Sequence, residues 1–376
     1  NDPADQFVCN GAPTAAVNFS TTNTGGTMSY TWVNDTPSIG LSATGTGNIA
    51  SFNAVNSGLA PVTATIIVTP HFTNGTATCD GPTQSFTLTV NPTAQVNDLA
   101  DQFVCNGAPV TAINFSTTNT GGTMSYTWVN DTPSIGLAAT GTGNIASFNA
   151  ANPGLAPVTA TIIVTPHFTN GTATCDGPTQ SFTITVNPTA QVNDPADQFV
   201  CNGAPVTAVN FSTTNTGGTL SYTWVNDTPS IGLATTGTGN IASFNTINAG
   251  LAPVTATIIV TPHFTNGTAT CDGPTQSFTI TVNPTAQVND PADQFICNGA
   301  PTAAVNFSTT NTGGTMSYTW VNDTPAIGLA ATGNGNIASF NAVNPGLLPV
   351  TATLIVTPHF TNGTATCDGP TQSFTI

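Results

Sequence analysis

The feature that most constrains this chain is its periodicity. The string Asn1-Asp2-Pro3-Ala4-Asp5-Gln6-Phe7-Val8-Cys9 returns at Asn97, Asn193 and Asn289 with at most one substitution, always at an interval of 96 residues and with no insertion or deletion. A period this long exceeds a solenoid unit and has the size of a small independent domain with its own core. On sequence the 376 residues divide into copies at 1–92, 93–188, 189–284 and 285–376, the last ending eight residues short of a full period. With no initiator Met at Asn1, the expectation is a mature product or a window on a longer periodic polymer.

Within one copy, apolar and polar residues alternate in short runs between Gly, Pro and Asn punctuation, the pattern of half-buried strands. Val62, Ala64, Ile66 and Val68 share one face of the clearest run, with Thr63, Thr65 and Thr69 on the other. Phe86, Leu88 and Val90 repeat the scheme, and Tyr30 and Trp32 share a face as core anchors. With runs at 5–9, 15–20, 40–43 and 48–53, about seven strands are expected and no helix. The fold class is therefore all-β: four tandem immunoglobulin-like, seven-stranded antiparallel β-sandwiches. The joint Val90-Asn91-Pro92-Thr93-Ala94-Gln95-Val96 has one Pro and no Gly, so it is read as a short, extended, semi-rigid connector.

Composition excludes several functions. The chain has no Lys or Arg, and its 16 acidic residues give a formal net charge of −16 although only 4% of residues are charged. Nucleic-acid binding and attachment to anionic membranes both need cations that are absent here. Schiff-base chemistry and Lys–Asn isopeptide cross-links are excluded for the same reason. No run of 18 apolar residues exists, so no membrane-spanning helix is expected. Solubility falls to Thr, Asn and Ser, or to attached sugars, which fits an extracellular setting better than a cytoplasmic one.

Several spaced motifs then suggest a family. Val8-Cys9-Asn10-Gly11, the run SYTWVNDTPSIGL from Ser29, TGTGNIASFNA from Thr44, PVTATIIVTP from Pro61 and SFTLTVNP from Ser85 resemble, in order, the PKD-like repeats of giant secreted surface proteins of Bacteroidetes-type bacteria. The resemblance covers every copy. It departs from PKD domains where Trp32 is followed by Val33-Asn34-Asp35-Thr36 in place of Asp-Phe-Gly-Asp-Gly. It implies a seven-stranded fold, secretion, a cell-surface or filament role and no catalytic residues.

Each copy carries two cysteines at one fixed spacing: Cys9 and Cys79, Cys105 and Cys175, Cys201 and Cys271, Cys297 and Cys367. The expected arrangement is one disulfide within each copy, closing a loop that adds roughly 4 kcal/mol by chain entropy. Free thiols, and pairing across copies such as Cys79 with Cys105, stay open at this stage. Each copy also carries three Asn-x-Ser/Thr sequons, at Asn18, Asn34 and Asn74, then Asn114, Asn130, Asn170, Asn210, Asn226, Asn266, Asn306, Asn322 and Asn362. These are candidate sugar acceptors, weighed against chance in a chain rich in Asn and Thr. Asp2 and Asp5 beside the joint are weak calcium candidates, since four Asp per copy must also serve as ordinary turn formers. His71 and its repeats His167, His263 and His359 read as exposed strand-end residues. Gly45-Thr46-Gly47 reads as a hairpin turn, and no Ser-His-Asp arrangement has sequence support. Outward Thr rows are read as ordinary β-propensity ahead of an ice-binding array.

Four interchangeable copies argue for length more than for a specialised site. The leading expectation is a structural segment of an extracellular fibre or adhesin stalk, with no enzymatic activity and no cofactor beyond covalent glycans. Its partner would be itself, by head-to-tail continuation in one giant chain or by strand addition at the incomplete last strand. The alternative is a glycan- or surface-binding module with one weak site per copy.

Overall fold

The longest alternating run organises each copy. In the computed structural model, which describes residues 1–376, the first copy has strands β1 (Gln6–Cys9), β2 (Thr27–Asn34), β3 (Thr44–Thr46), β4 (Val62–Asn74), β5 (Ala77–Asp80) and β6 (Gln84–Asn91). They form one sheet in the order β1-β6-β4-β2-β3, with β5 paired to β4. All neighbours are antiparallel except β1, which runs parallel to β6 with Val8 opposite Val90 and Cys9 opposite Asn91. The second and third copies repeat this sheet, and the last forms five strands.

The opposing layer is thinner than the sequence suggests. The runs at 15–20 and 48–53 are extended segments joined by single bridges, Val17 with Ile49 and Pro13 with Asn53. The run expected near residue 40 is a turn of 3-10 helix, Pro37–Ile39, closed by Gly40 at φ 96°. Between the layers lie Trp32, Ile39, Ile49, Ala64, Ile66, Val68, Phe86, Leu88 and Val90. The alternation in β2, β4 and β6 thus falls on the core as expected. Gly45 lies flat on the Trp32 indole, where a Cβ would overlap the ring. Phe19 packs against Tyr30 with ring centres 5.3 Å apart.

β4 has two successive partners along one edge. Its first half pairs with β6 and His71–Asn74 pair with β5 through the two-residue loop Gly75-Thr76, while Ile66–Thr73 pair with β2 on the other edge. Glycine at the first central position, with φ 64°, matches the type II′ turn that suits strand twist. This hairpin is absent from the strand count expected above.

The chain divides into two compact units, residues 1–188 with 266–269, and residues 189–265 with 270–376. Each unit holds two consecutive copies. No helix is long and apolar enough to cross a membrane.

Candidate functional site

The polar residues with the most specific geometry gather where one copy meets the next. β1 places Val8 toward its own core and, by period 2, Phe7 and Cys9 on the opposite face. Cys9 also sits in register with Asn91, the last residue of β6. The edge of one copy therefore presents Phe7, Cys9 and Asn91 together. The facing element is the hairpin of the following copy, Val158–Asn170 with Ala173–Asp176.

Cys9 is bonded to Cys175 of that hairpin, with Cα atoms 5.4 Å apart, and Cys201 is bonded to Cys367 in the same way in the second unit. Cys105 and Cys271 are disulfide-bonded as well, whereas Cys79 and Cys297 are free and exposed. The expected pairing within copies is thus wrong, and so is the alternative of Cys79 with Cys105. The strand register supplies the reason. Cys9 lies one residue beyond the Val90–Val62 level of the sheet, while Cys79 lies opposite Phe72. Ten residues of β4 separate those levels, about 33 Å of strand, far beyond the roughly 7 Å that a disulfide tolerates between Cα atoms.

Around the bond sits a clasp of asparagines. Asn91 has no exposed surface. Its Nδ2 donates to the carbonyls of Asn170 at 3.0 Å and Ala173 at 3.4 Å, and its Oδ1 accepts from Asn170 Nδ2 at 3.0 Å. An amide is both donor and acceptor, so one residue type closes both halves of the pair. Asn119 performs a second fastening. It accepts the Gln95 N–H at 2.7 Å and donates to the Thr93 carbonyl at 3.2 Å and the Leu59 carbonyl at 3.3 Å. Phe7 covers the hairpin turn so closely that a Cβ on Gly171 would overlap its ring. The second unit repeats this with Asn283 on Asn362, Asn311 on Gln287, Thr285 and Leu251, and Phe199 over Gly363. The connector is accordingly no free spacer: Asn91, Pro92, Ala94 and Val96 are buried, and Val96 joins the core of the next copy.

The hairpin is braced on its own side. His71 Nδ1 pairs with Asp80 Oδ1 at 2.5 Å and His71 Nε2 with Thr31 Oγ1 at 2.9 Å, and the set recurs in all four copies. The sequence-based reading of His71 as a strand-end residue missed it. The order Thr–His–Asp resembles a hydrolytic relay, but all three residues lie on paired strands whose backbone groups serve the ladder. The set braces β2, β4 and β5 across the sheet beside the cysteine.

The remaining candidates separate by environment. Asn18, Asn114, Asn210 and Asn306 are exposed, as is Asn74. Asn34, Asn130, Asn226 and Asn322 are buried, contrary to the reading of every sequon as a surface acceptor. Their amides are spent on loop carbonyls, such as Asn34 Nδ2 to Leu41 O at 2.9 Å. Asn170, Asn266 and Asn362 likewise use their amides in the clasps on Asn91, Asn187 and Asn283. Asp5 accepts the Thr87 N–H at 2.7 Å and Asp35 the Thr65 N–H at 2.8 Å, and these bonds hold both carboxyls below their ordinary value. Asp2 is exposed, and no three His, Cys or Asp side chains converge in a metal-binding group.

No protein-family model matches the chain, and no curated protein matches it. Solved structures with similar strand arrangements include Drosophila N-cadherin EC1-4, at 14% identity and a TM-score of 0.29 over 99% of this chain and 98% of that one. The N-terminal eight Ig domains of Down Syndrome Cell Adhesion Molecule align at 12% and 0.30 over 100% of this chain and 53% of that one. Human CDH23 EC21-23 aligns at 13% and 0.32 over 75% and 99%. Likeness at this level bears on neither ligand nor partner.

Proposed function

We propose that the chain is a structural segment of an extracellular fibre or surface stalk, in which each copy is a folding unit fastened to its neighbour. The observation that carries this reading is the joint. Cys9–Cys175 and Cys201–Cys367 each bond one copy to the next, inside a shell of buried asparagine amides. A catalytic or sensing protein gains nothing from locking near-identical copies together at one repeated geometry, whereas a load-carrying one gains fixed spacing. Persistent disulfides favour an oxidising compartment, and the absence of Lys and Arg removes tryptic sites altogether.

Small-angle X-ray scattering tests the reading. The oxidised chain should give one sharp distribution of interatomic distances. Cys9→Ser with Cys175→Ser and Asn91→Ala should broaden it while circular dichroism stays unchanged. An oxidised chain already as broad as that variant would refute the proposal.

A further inference from the structure

Of the two amides that close each clasp, only one can be changed by its own backbone. Asn91 is followed by Pro92 and Asn170 by Gly171, and the second unit repeats the pair as Asn283-Pro284 and Asn362-Gly363. An asparagine side chain is lost as ammonia when the next residue's backbone nitrogen attacks its Cγ. Pro92 has no N–H to give up, so Asn91 is closed to this route. Gly171 has an N–H and no Cβ to hinder the approach, so Asn170 is open to it. The fold withholds the reaction. To be attacked, the Asn170 side chain must turn back over the peptide bond that follows it. Its Nδ2 is instead held on Asn91 Oδ1 at 3.0 Å, its carbonyl accepts from Asn91 Nδ2 at 3.0 Å, and its backbone is paired with Ala173 in the hairpin. The Phe7 ring lies on Gly171 itself. Each of these restraints except the hairpin pairing comes from the preceding copy. The Asn-Gly pairs that follow β1 and its repeats differ: the N–H groups of Gly11, Gly107 and Gly203 donate to the carbonyls of Ala54, Ala150 and Thr246 in their own copies, at 2.7, 2.7 and 2.8 Å.

We propose that Asn170-Gly171 and Asn362-Gly363 are self-modifying sites, which convert to an aspartyl or isoaspartyl residue only while the joint beside them is open and thereby keep it from closing again. The Gly171 nitrogen gives its proton to hydroxide and bonds to Asn170 Cγ. The Cγ–Nδ2 bond breaks, and Nδ2 leaves as ammonia with a proton taken from water. A second water adds to one carbonyl of the resulting succinimide and breaks one of its two C–N bonds, leaving an aspartyl or isoaspartyl residue at position 170. In sum one water enters, one ammonia leaves, and nothing is oxidised or reduced. The new carboxylate accepts hydrogen bonds and donates none. Whichever way Asn91 then turns its amide, oxygen meets oxygen: its Oδ1 faces the carboxylate or, flipped, the carbonyls of Asn170 and Ala173. Asn91 has no exposed surface, so no water can fill the missing partnership without opening the contact. The isoaspartyl form also lengthens the main chain ahead of Gly171 and shifts the turn under Phe7.

The proposal rests on the fastened joint of the structural reading and fails separately from it. The test is the full chain, folded with its internal disulfides, held at mildly alkaline pH for days and digested with pepsin, with peptide mass analysis following amide loss at each asparagine. Asn91→Ala removes both hydrogen bonds that hold Asn170 and should speed its amide loss about 30-fold, while Asn362 and Asn106 keep their native rates. In guanidinium, Asn170, Asn362 and Asn106 should convert at one common fast rate, and Asn91 should stay an amide on the same timescale. Asn170→Asp should make the Cys9–Cys175 bond about tenfold easier to reduce, with Cys201–Cys367 unchanged. Native Asn170 converting as fast as in guanidinium, an Asn91→Ala chain in which Asn362 gains as much as Asn170, or an Asn170→Asp chain with an unaltered Cys9–Cys175 bond would each overturn the proposal. The first of these results beside a sharp scattering distribution would leave the stalk reading standing and remove only this one.

Discussion

Reducing the disulfides should change how far the chain can be stretched by an amount that only the offset pairing gives. Cys9–Cys175 and Cys201–Cys367 close most of the sequence into loops that tension cannot reach. The stretches outside those loops are residues 1–9, 175–201 and 367–376, about 43 peptide steps. At roughly 3.5 Å per residue the oxidised chain then has a limiting contour of about 150 Å, and the reduced chain one of about 1,300 Å. Four disulfides within copies would instead leave about 96 residues free, or about 340 Å by the same conversion. Single-molecule pulling between tags at the two ends, before and after adding a thiol reductant, reads these lengths directly. Oxidised molecules should break or detach at the shortest of the three lengths, with no sawtooth of unfolding copies. Reduced molecules should show successive unfolding events summing toward the full contour. An oxidised contour at the intermediate length would refute the offset pairing, and one equal to the reduced contour would mean the bonds do not form.

The clasp should feed directly into the bond it surrounds. Asn91→Ala removes two hydrogen bonds of 3.0 Å, worth about 2 kcal/mol net. The Cys9–Cys175 equilibrium constant against glutathione should therefore fall about 30-fold, with Cys201–Cys367 in the same molecule unchanged. Asp-N peptides with trapped thiols would report both. Asp5, Asp35, Asp101, Asp131, Asp227, Asp293 and Asp323 are held below 3.8 in the fold by backbone N–H bonds. Their contribution is full above the unfolded value and is lost as pH falls through the lowered ones. Thermal stability should accordingly drop below about pH 4, and Asp35→Asn, which still accepts from Thr65, should shrink that drop. Gly45→Ala should cost about 1–3 kcal/mol by displacing the Trp32 indole, seen as faster amide exchange in Thr44–Thr46. In a host that glycosylates sequons, mass analysis should find sugar at Asn18, Asn114, Asn210, Asn306 and Asn74 and none at Asn34 or Asn170.

What the sequence disclosed follows from what a local pattern can encode. Alternation is a local property, so the inward faces of β2, β4 and β6 and the burial of Trp32 were readable. Pairing in two dimensions is not local. The runs at 15–20 and 48–53 alternate convincingly yet make single bridges, and the parallel sense of β1 against β6 leaves no trace in either strand. In a periodic chain, cysteine spacing is ambiguous in principle, because the same repeated positions allow a pairing within each copy, which uses all eight cysteines, and a pairing shifted by one copy, which uses six. The discriminating signal lay in QFVC itself. If Val8 is in the core, Phe7 and Cys9 face away from it. An exposed aromatic beside an outward cysteine asks for a cover that its own copy does not supply. The sequons failed for a related reason: Asn34 and Asn170 are loop and joint residues whose amides are already used, and a three-residue motif carries no information about burial.

The offset in pairing changes what repetition can achieve. A disulfide within a copy closes on itself, and four such copies would be four stapled beads whose spacing depends on the connector alone. Shifting the partner by one period leaves the composition of every copy unchanged but gives each a donor edge and an acceptor hairpin. Identical sequences thereby acquire direction. The chemistry of the joint fits the same constraint. With no Lys or Arg in 376 residues, no ion pair with a cationic side chain other than histidine can set the register between copies. Asparagine does it with neutral amides that donate and accept at once, buried where water cannot compete. Such a joint owes little to ionic strength. Its strength rests on exclusion of water, on the Phe7 ring over Gly171, and on a covalent bond. All three survive in a chain carrying 16 acidic groups and no counter-charged side chains of its own beyond four histidines.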